Sequence, residues 1–236
     1  MERVEINGVY CDENTKKYYE TFGNEIDFNH EYDKYFLNHI PDSLTGMNVL
    51  DIGAGNGKYS ELLTKKGASK VIAIDSSISM INEINLRKQD RNLENLIALQ
   101  CDIDNLPVFE DKIHFVISRF SLMYSKNLNK LFGNLNDIMD SNGRILILAN
   151  FAYFYNSKNE TIIKKLPVPI ILQIGENSVE IKNYANSLSD YHQAFENNGF
   201  KVIEEQQFDT NEISVSTIYE FYKELNFKYV IFSLVR

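Results

Sequence analysis

The residues with the clearest chemical potential form one short run, Asp51-Ile52-Gly53-Ala54-Gly55-Asn56-Gly57. An acid is followed by three glycines at every second position. An apolar run, Met47 to Leu50, precedes it and an amphipathic segment, Tyr59 to Lys66, follows. This reads as strand, tight loop and helix, the local design by which an α/β fold offers backbone N–H groups to a nucleotide-like ligand. A dinucleotide fingerprint would place its third glycine at position 58, where this chain has Lys58. The acid beside the loop, Asp51, repels a phosphate and suits a cationic amino group. Two further acids stand at strand ends. Asp75 closes the run Val71 to Ile74 and is placed to accept both hydroxyls of a ribose. Asp102 follows the run Leu96 to Cys101 and is placed to accept from an adenine amino group.

Those residues require a particular scaffold. Apolar periodicity and turn signals predict helices over 12–22 and 29–40, ahead of the core. Strand 47–51 then leads to helix 57–66, strand 70–74 to helix 77–91, and strand 95–100 to an irregular stretch from Asp102 to Asp111. Strand 112–118 leads to helix 127–139, and Ser141-Asn142-Gly143 reads as a turn before strand 144–150. Helix 188–198, strand 200–208, helix 215–224 and strand 228–235 complete the chain. The fold class is α/β, a Rossmann-like sheet of seven mostly parallel strands flanked by helices. Residues 168–174 and 179–184 are strand-like around a turn at 175–178, and predict a β-hairpin inserted as a lid. The expected organisation is a single domain: a helical cap over 1–45, a cofactor-binding core over 46–150, the lid over 151–187, and the rest of the sheet over 188–236.

The three acidic strand ends and the glycine loop resemble the first three motifs of the class I S-adenosylmethionine-dependent methyltransferases. S-adenosylmethionine carries a cationic amino group and no phosphate, which suits Asp51. The resemblance covers residues 45 to 150. It implies a final strand inserted antiparallel and an N-terminal helix folded over the cofactor. It also implies cofactor contacts from Tyr18, Asp51, Gly53, Ala54, Gly55, Asp75, Ser76, Asp102, Ile103 and Ser118.

A narrower resemblance is to the small-molecule branch of these enzymes, through Leu122-Met123-Tyr124-Ser125, Tyr184, Leu188-Ser189-Asp190-Tyr191 and Gly199-Phe200. The chain departs from that branch at Met123, Ala185 and Asn186, where histidine, histidine and arginine are usual. A histidine base is therefore missing. The candidates near the reacting methyl are Tyr124, Tyr19 and His30, and those for holding the acceptor are Arg119, Tyr153, Tyr155 and Tyr184. Aromatic faces there would favour a sulfonium or ammonium through cation–π attraction. His192 on an outer helix reads as a surface residue, with a base as the alternative, and His114 before the fourth strand reads as structural. Ser118-Arg119-Phe120-Ser121 lacks the Asn-Pro-Pro-Tyr pattern of adenine and glutamine methylation.

Composition narrows the partners. The net charge of −9 and the absence of a basic stripe argue against nucleic acid. Lys16-Lys17, Lys65-Lys66 and Lys164-Lys165 are only isolated basic pairs. No stretch approaches the ~18 apolar residues of a membrane span, and the N-terminus lacks the pattern of a secretion signal. Cys11 and Cys101 have no metal or disulfide spacing, and the four histidines do not cluster, so no metal is expected. The reading is a cytoplasmic methyltransferase, a monomer or homodimer, that uses S-adenosylmethionine on O or N of a small molecule. A protein or RNA methyltransferase, or a cofactor-binding regulator without turnover, are the alternatives. A nicotinamide-dependent reductase conflicts with Lys58 and Asp51.

Overall fold

The computed structural model describes residues 30–154, 168–174, 177–184, 186–209 and 225–236. Five strands carry the half of the sheet that the glycine loop enters: β1 (Asn48–Ile52), β2 (Lys70–Asp75), β3 (Leu96–Gln100), β4 (Ile113–Arg119) and β5 (Met139–Phe154). The central portions of β1, β2, β4 and β5 are nearly continuous buried apolar runs, as expected of strands covered on both faces, whereas the edge strand β3 leaves Ile97 and Leu99 exposed. The helices are α1 (Glu31–Asn38), α2 (Lys58–Lys65), α3 (Ile78–Arg91), α4 (Leu128–Ile138) and α5 (Leu188–Asn197). The chain ends with a hairpin of β6 (Val168–Ile174) and β7 (Asn177–Asn183), then β8 (Lys201–Asp209) and β9 (Leu225–Val235).

The main sheet has seven strands in the order β3-β2-β1-β4-β5-β9-β8. β1 pairs in parallel with both β2 and β4, whereas β9 runs antiparallel between β5 and β8. Strand order reverses at β1, so a crevice opens outside the carboxyl ends of β1 and β4, where open α/β sheets bind ligands. Apolar cores fill both faces. One packs Phe132, Phe195 and Phe232 under α4 and α5. The other packs Phe36, Tyr59 and Leu63 under α1 and α2.

Local signals set most boundaries. Ser77 caps α3 by accepting from the Met80 N–H at 3.3 Å, and Asn92 ends it in the left-handed region. Asn127 caps α4 through the Lys130 N–H, and Ser187 with Asp190 forms a reciprocal capping box on α5.

Three expectations change. The turn at 141–143 does not separate α4 from a fresh strand, because β5 starts directly at Met139. The turn survives as an irregularity inside that strand. The register jumps from Ile113↔Met139 to Phe115↔Arg144, and the Asn142 N–H bonds to Asp140 Oδ1 at 2.9 Å. β5 also runs past 150 to Phe154, since pairing with β9 continues to Phe154↔Leu225. The inserted hairpin forms a separate two-stranded antiparallel sheet whose second strand begins at Asn177, two residues before the expected start at 179. The expected helices 12–22 and 215–224 lie outside the described residues.

Candidate active site

The glycine loop turns back over the end of β2. The N–H groups of Gly53 and Ala54 both donate to the Ile74 carbonyl at 2.9 Å. Gly53 takes φ +67°, a conformation that costs a residue with a Cβ ~1–2 kcal/mol. A Cβ there would also lie 2.2 Å from the Ser121 Cβ, so the loop and the segment after β4 are packed backbone to side chain. Gly57, at φ +78°, is the cap residue of α2.

Asp75 ties this loop down. Its Oδ2 accepts from the Gly55 N–H and its Oδ1 from the Ser77 N–H, both at 2.9 Å. The sequence suggested a carboxylate open to a ribose on both oxygens; here each oxygen already holds one backbone donor. Burial pushes its pKa up, and the N–H groups of Ser77, Gly55 and Ser76 oppose that rise.

Asp51 is 3 % exposed, not open beside the loop. Its Oδ2 accepts the Ser60 hydroxyl of α2 at 2.6 Å. Burial raises its pKa to about 7; the Ser60 hydroxyl opposes the rise and the nearby Asp75 charge adds to it. A carboxylate that ionises near neutrality without a local cation is well suited to a cationic ligand group.

The third acid lies next to the second, because the Cys101 N–H bonds to the Asp75 carbonyl at 2.9 Å. Asp102 is exposed and caps the short helical turn Ile103–Asn105 through the Asp104 N–H at 2.9 Å. Ile103 is partly buried against the core, and Ala54 is likewise half-buried on the opposite face. The Ser76 carbonyl accepts from the Gln100 side chain at 3.0 Å.

The end of β4 departs most from expectation. Ser118 is fully buried and hydrogen-bonded to the Ser121 hydroxyl, which donates to the Ile52 carbonyl at 2.8 Å. Ser121 therefore ties the end of β4 to that of β1, and the side chain of Ser118, expected as a cofactor contact, is enclosed beside it. Arg119, expected among the residues that hold the acceptor, is salt-bridged. Its Nε and Nη2 both reach Asp33 Oδ1 of α1 at 2.9 Å, and its guanidinium lies 4.8 Å from the Phe120 ring centre. Phe120 itself has φ +51°, held there by its N–H bond to the Leu148 carbonyl at 2.7 Å. Non-glycine residues in this region cost of order 1–3 kcal/mol and gather at functional sites.

Tyr124 lies half-buried in the helical turn Leu122–Tyr124 that follows. The hairpin exit meets this turn, because the Tyr184 N–H donates to the Met123 carbonyl at 3.1 Å. Tyr124 and Tyr184 are thereby brought to one place. Tyr153 lies in the last turn-ward residues of β5. Tyr18, Tyr19 and Tyr155 lie outside the described residues. His30 is exposed, with its ring stacked 5.0 Å from Tyr32, whose ring in turn meets Phe120 edge-on. His114 accepts from the Asn48 N–H at 3.0 Å, and His192 pairs with Glu205 at 2.7 Å.

Two acids escaped the sequence reading. Asp104 is buried and accepts from the Ser125 hydroxyl at 2.6 Å and the Lys126 N–H at 3.1 Å, joining the loops after β3 and β4. Its only sequence signal was its place two residues beyond Asp102. Asp33 gave no signal, since its partner Arg119 is 86 residues away. Asp51 and Asp75 thus lie at the glycine loop, and Asp33 pairs with Arg119 at the end of β4. That excess of carboxylate, together with a glycine loop too tight for a Cβ, fits a nucleoside carrying a cation and disfavours a phosphate.

The chain matches a family described as a methyltransferase domain over residues 43–159. It is 29 % identical over 98 residues to malonyl-[acyl-carrier protein] O-methyltransferase of Hamiltonella defensa, covering 42 % of this chain and 36 % of that one. It is 27 % identical over 120 residues to a probable protein arginine N-methyltransferase 6.2 of Oryza sativa, covering 50 % and 30 %. The chain spans about half or less of the length of the curated relatives it matches. Among solved structures, geranyl diphosphate methyltransferase in complex with SAM superposes with a TM-score of 0.68 at 14 % identity, covering 97 % of both chains.

Proposed function

We propose that this chain, whose residues 43–159 match a methyltransferase-domain family, is a class I S-adenosylmethionine-dependent methyltransferase that transfers a methyl group from that cofactor to oxygen or nitrogen of a small-molecule acceptor. The observation that carries this reading is the bond between the Gly55 N–H and Asp75 Oδ2 above a buried Asp51. It gathers the glycine loop and two acids at the carboxyl ends of β1 and β2.

In this reading Asp75 directs its remaining lone pairs to the ribose, and Asp102 and Ile103 border the adenine. Asp51 and the Gly53 backbone favour the cationic amino-acid end, while Gly55 permits close approach. The cofactor, when bound, supplies an activated methyl on a sulfonium. The protein's own contribution is then to align the acceptor, keep water out and leave the nucleophile in a reactive protonation state. Tyr124 and Tyr184 would line the acceptor side, and the β6–β7 hairpin would act as its lid. Tyr153 and Tyr155 belong to the same proposed wall, and Tyr18 and Tyr19 to a cap over the cofactor. A small acceptor is favoured by the net charge of −9, which does not suit a polyanionic substrate. It is also favoured by the bond that draws the hairpin exit against the turn carrying Tyr124.

Calorimetric titration with S-adenosylmethionine, S-adenosylhomocysteine and NADH tests the cofactor assignment. Binding of the first two and not the third is expected. Absence of binding by either sulfur compound would refute it. An acceptor screen with methyl-labelled cofactor then addresses the substrate class.

A further inference from the structure

Arg87 of α3 joins the glycine loop to α2. Its Nε donates to the Asn56 carbonyl at 2.9 Å, and its Nη1 donates to Glu61 Oε2 of α2 at 2.8 Å. The other Glu61 oxygen accepts from Lys65 Nζ at 2.6 Å. Burial works to raise the Glu61 pKa, but the bonds and charges of Lys65 and Arg87 outweigh it and hold the carboxyl below its usual range. Glu61 is therefore a firm anionic anchor for the guanidinium. Two donors set at a fixed angle on two different elements are what a planar guanidinium offers and a single ammonium does not.

The peptide between Asn56 and Gly57 is held at both ends. Its carbonyl accepts from Arg87, and its N–H donates to the Ala54 carbonyl at 3.0 Å. Among the described residues Arg87 is the one donor to that carbonyl. The loop needs such a tie, because Gly55 and Gly57 stand at φ +55° and +78° and glycine leaves such angles at little cost. α3 makes a second contact three residues earlier on the same face, since a Cβ on Gly57 would lie 2.9 Å from Ile84 Cγ1. That contact limits space but carries no direction, whereas the Arg87 bond fixes which way the peptide points. Two elements thus divide the loop between them. Asp75 at the end of β2 holds the Gly55 N–H, and Arg87 of α3 holds the Asn56 carbonyl.

Resting on the function proposed above, we infer that Arg87 is a positioning residue for cofactor binding. It acts through the Asn56 carbonyl, keeping the Gly55–Gly57 backbone in the shape that the ligand meets. Glu61 steadies Arg87 in turn, so the contact between α2 and α3 sets how much of the time the loop is ready to bind.

The test is calorimetry with S-adenosylhomocysteine, beside thermal melting and amide hydrogen exchange, on the full chain, Arg87→Met and Glu61→Gln. Both substitutions remove the charge pair between α2 and α3, and only the first also removes the donor to Asn56. Both variants should melt lower. Arg87→Met should bind about tenfold more weakly, as for a loop that holds its competent shape about a tenth of the time, whereas Glu61→Gln should stay within about twofold. Exchange of the Gly57 N–H should quicken in Arg87→Met alone. Affinity of Arg87→Met within about twofold of the unaltered chain would overturn the inference. Equal losses in the two variants would also overturn it, since the ion pair would then only support the fold. Should Arg87→Met not fold, Arg87→Lys keeps a charge opposite Glu61 without the fork, and the same two criteria apply to it. If the unaltered chain does not bind S-adenosylhomocysteine, the cofactor assignment itself fails, and exchange at Gly57 still decides whether Arg87 holds the loop.

Discussion

The Gly55 N–H donates to Asp75 Oδ2 at 2.9 Å, so the centre of the glycine loop is held by the acid at the tip of the neighbouring strand. Asp75 anchors the loop, and in the proposed function it would also accept from the ribose. Asp75→Ala should lower affinity for S-adenosylmethionine by roughly ten- to hundredfold, from ~1.5–3 kcal/mol per charged hydrogen bond. It should also lower thermal stability, because the Gly55 and Ser77 N–H groups lose their acceptor. Calorimetry and melting measured on the same variant separate the two duties. Unchanged affinity would remove Asp75 from the cofactor site.

Asp51 predicts a pH dependence of stability. Its folded pKa, about 7, is raised by burial above the usual carboxylate range. The folded state thus holds the proton more tightly than the unfolded chain. Stability from this group is fully present below the unfolded pKa and is lost as pH rises through 7. Asp51→Asn should therefore melt higher than the unaltered protein at pH 8, by a few kcal/mol at most, with the gap closing as pH falls towards ~4. Melting curves of both proteins across this range check it. A gap that does not vary with pH would refute the assignment.

Gly53 faces Ser121 so closely that a methyl group has no room. Gly53→Ala should cost about 2–5 kcal/mol, combining left-handed strain with overpacking. Removing the obstructing side chain in Gly53→Ala with Ser121→Gly should recover the packing part and leave the backbone strain. Chemical denaturation of both variants would show this partial rescue. No rescue would mean that the contact with Ser121 is not the source of the cost.

Tyr124 sits where the turn after β4 meets the hairpin exit. Tyr124→Phe should reduce turnover about tenfold or more while leaving cofactor affinity within about twofold, the pattern of a group engaged with the acceptor at the transition state. Single-turnover kinetics beside calorimetry measure both. Equal turnover would remove the hydroxyl from the mechanism.

Ser125 bonds to the buried Asp104 at 2.6 Å, linking the loops on either side of the crevice. Ser125→Ala leaves that carboxylate oxygen without its hydroxyl donor, at an expected cost of about 1–3 kcal/mol. A shift in denaturation midpoint with unaltered slope would confirm a local loss. A shift of less than about 0.5 kcal/mol would show the bond to be idle.

The order and number of strands were legible in the chain because they rest on local signals. Apolar runs, caps such as Ser77 and Ser187, and the glycines after Asp51 each act within a few residues. The positions of Asp51, Asp75 and Asp102 at strand ends followed from the same patterns. What each acid does with its oxygens did not. Asp51 is closed off by Ser60, Asp75 by Gly55 and Ser77, and Asp104 by Ser125, through bonds that depend on how helices and loops pack across the sheet. Arg119 shows the limit best. Alternation along β4 tells its face, but only the docking of α1 delivers Asp33 from 86 residues away and makes Arg119 half of an ion pair with a buried carboxylate. Periodicity fixes which side of an element a residue leaves from, whereas charge, burial and open hydrogen-bonding capacity are decided by whatever distant segment packs against it.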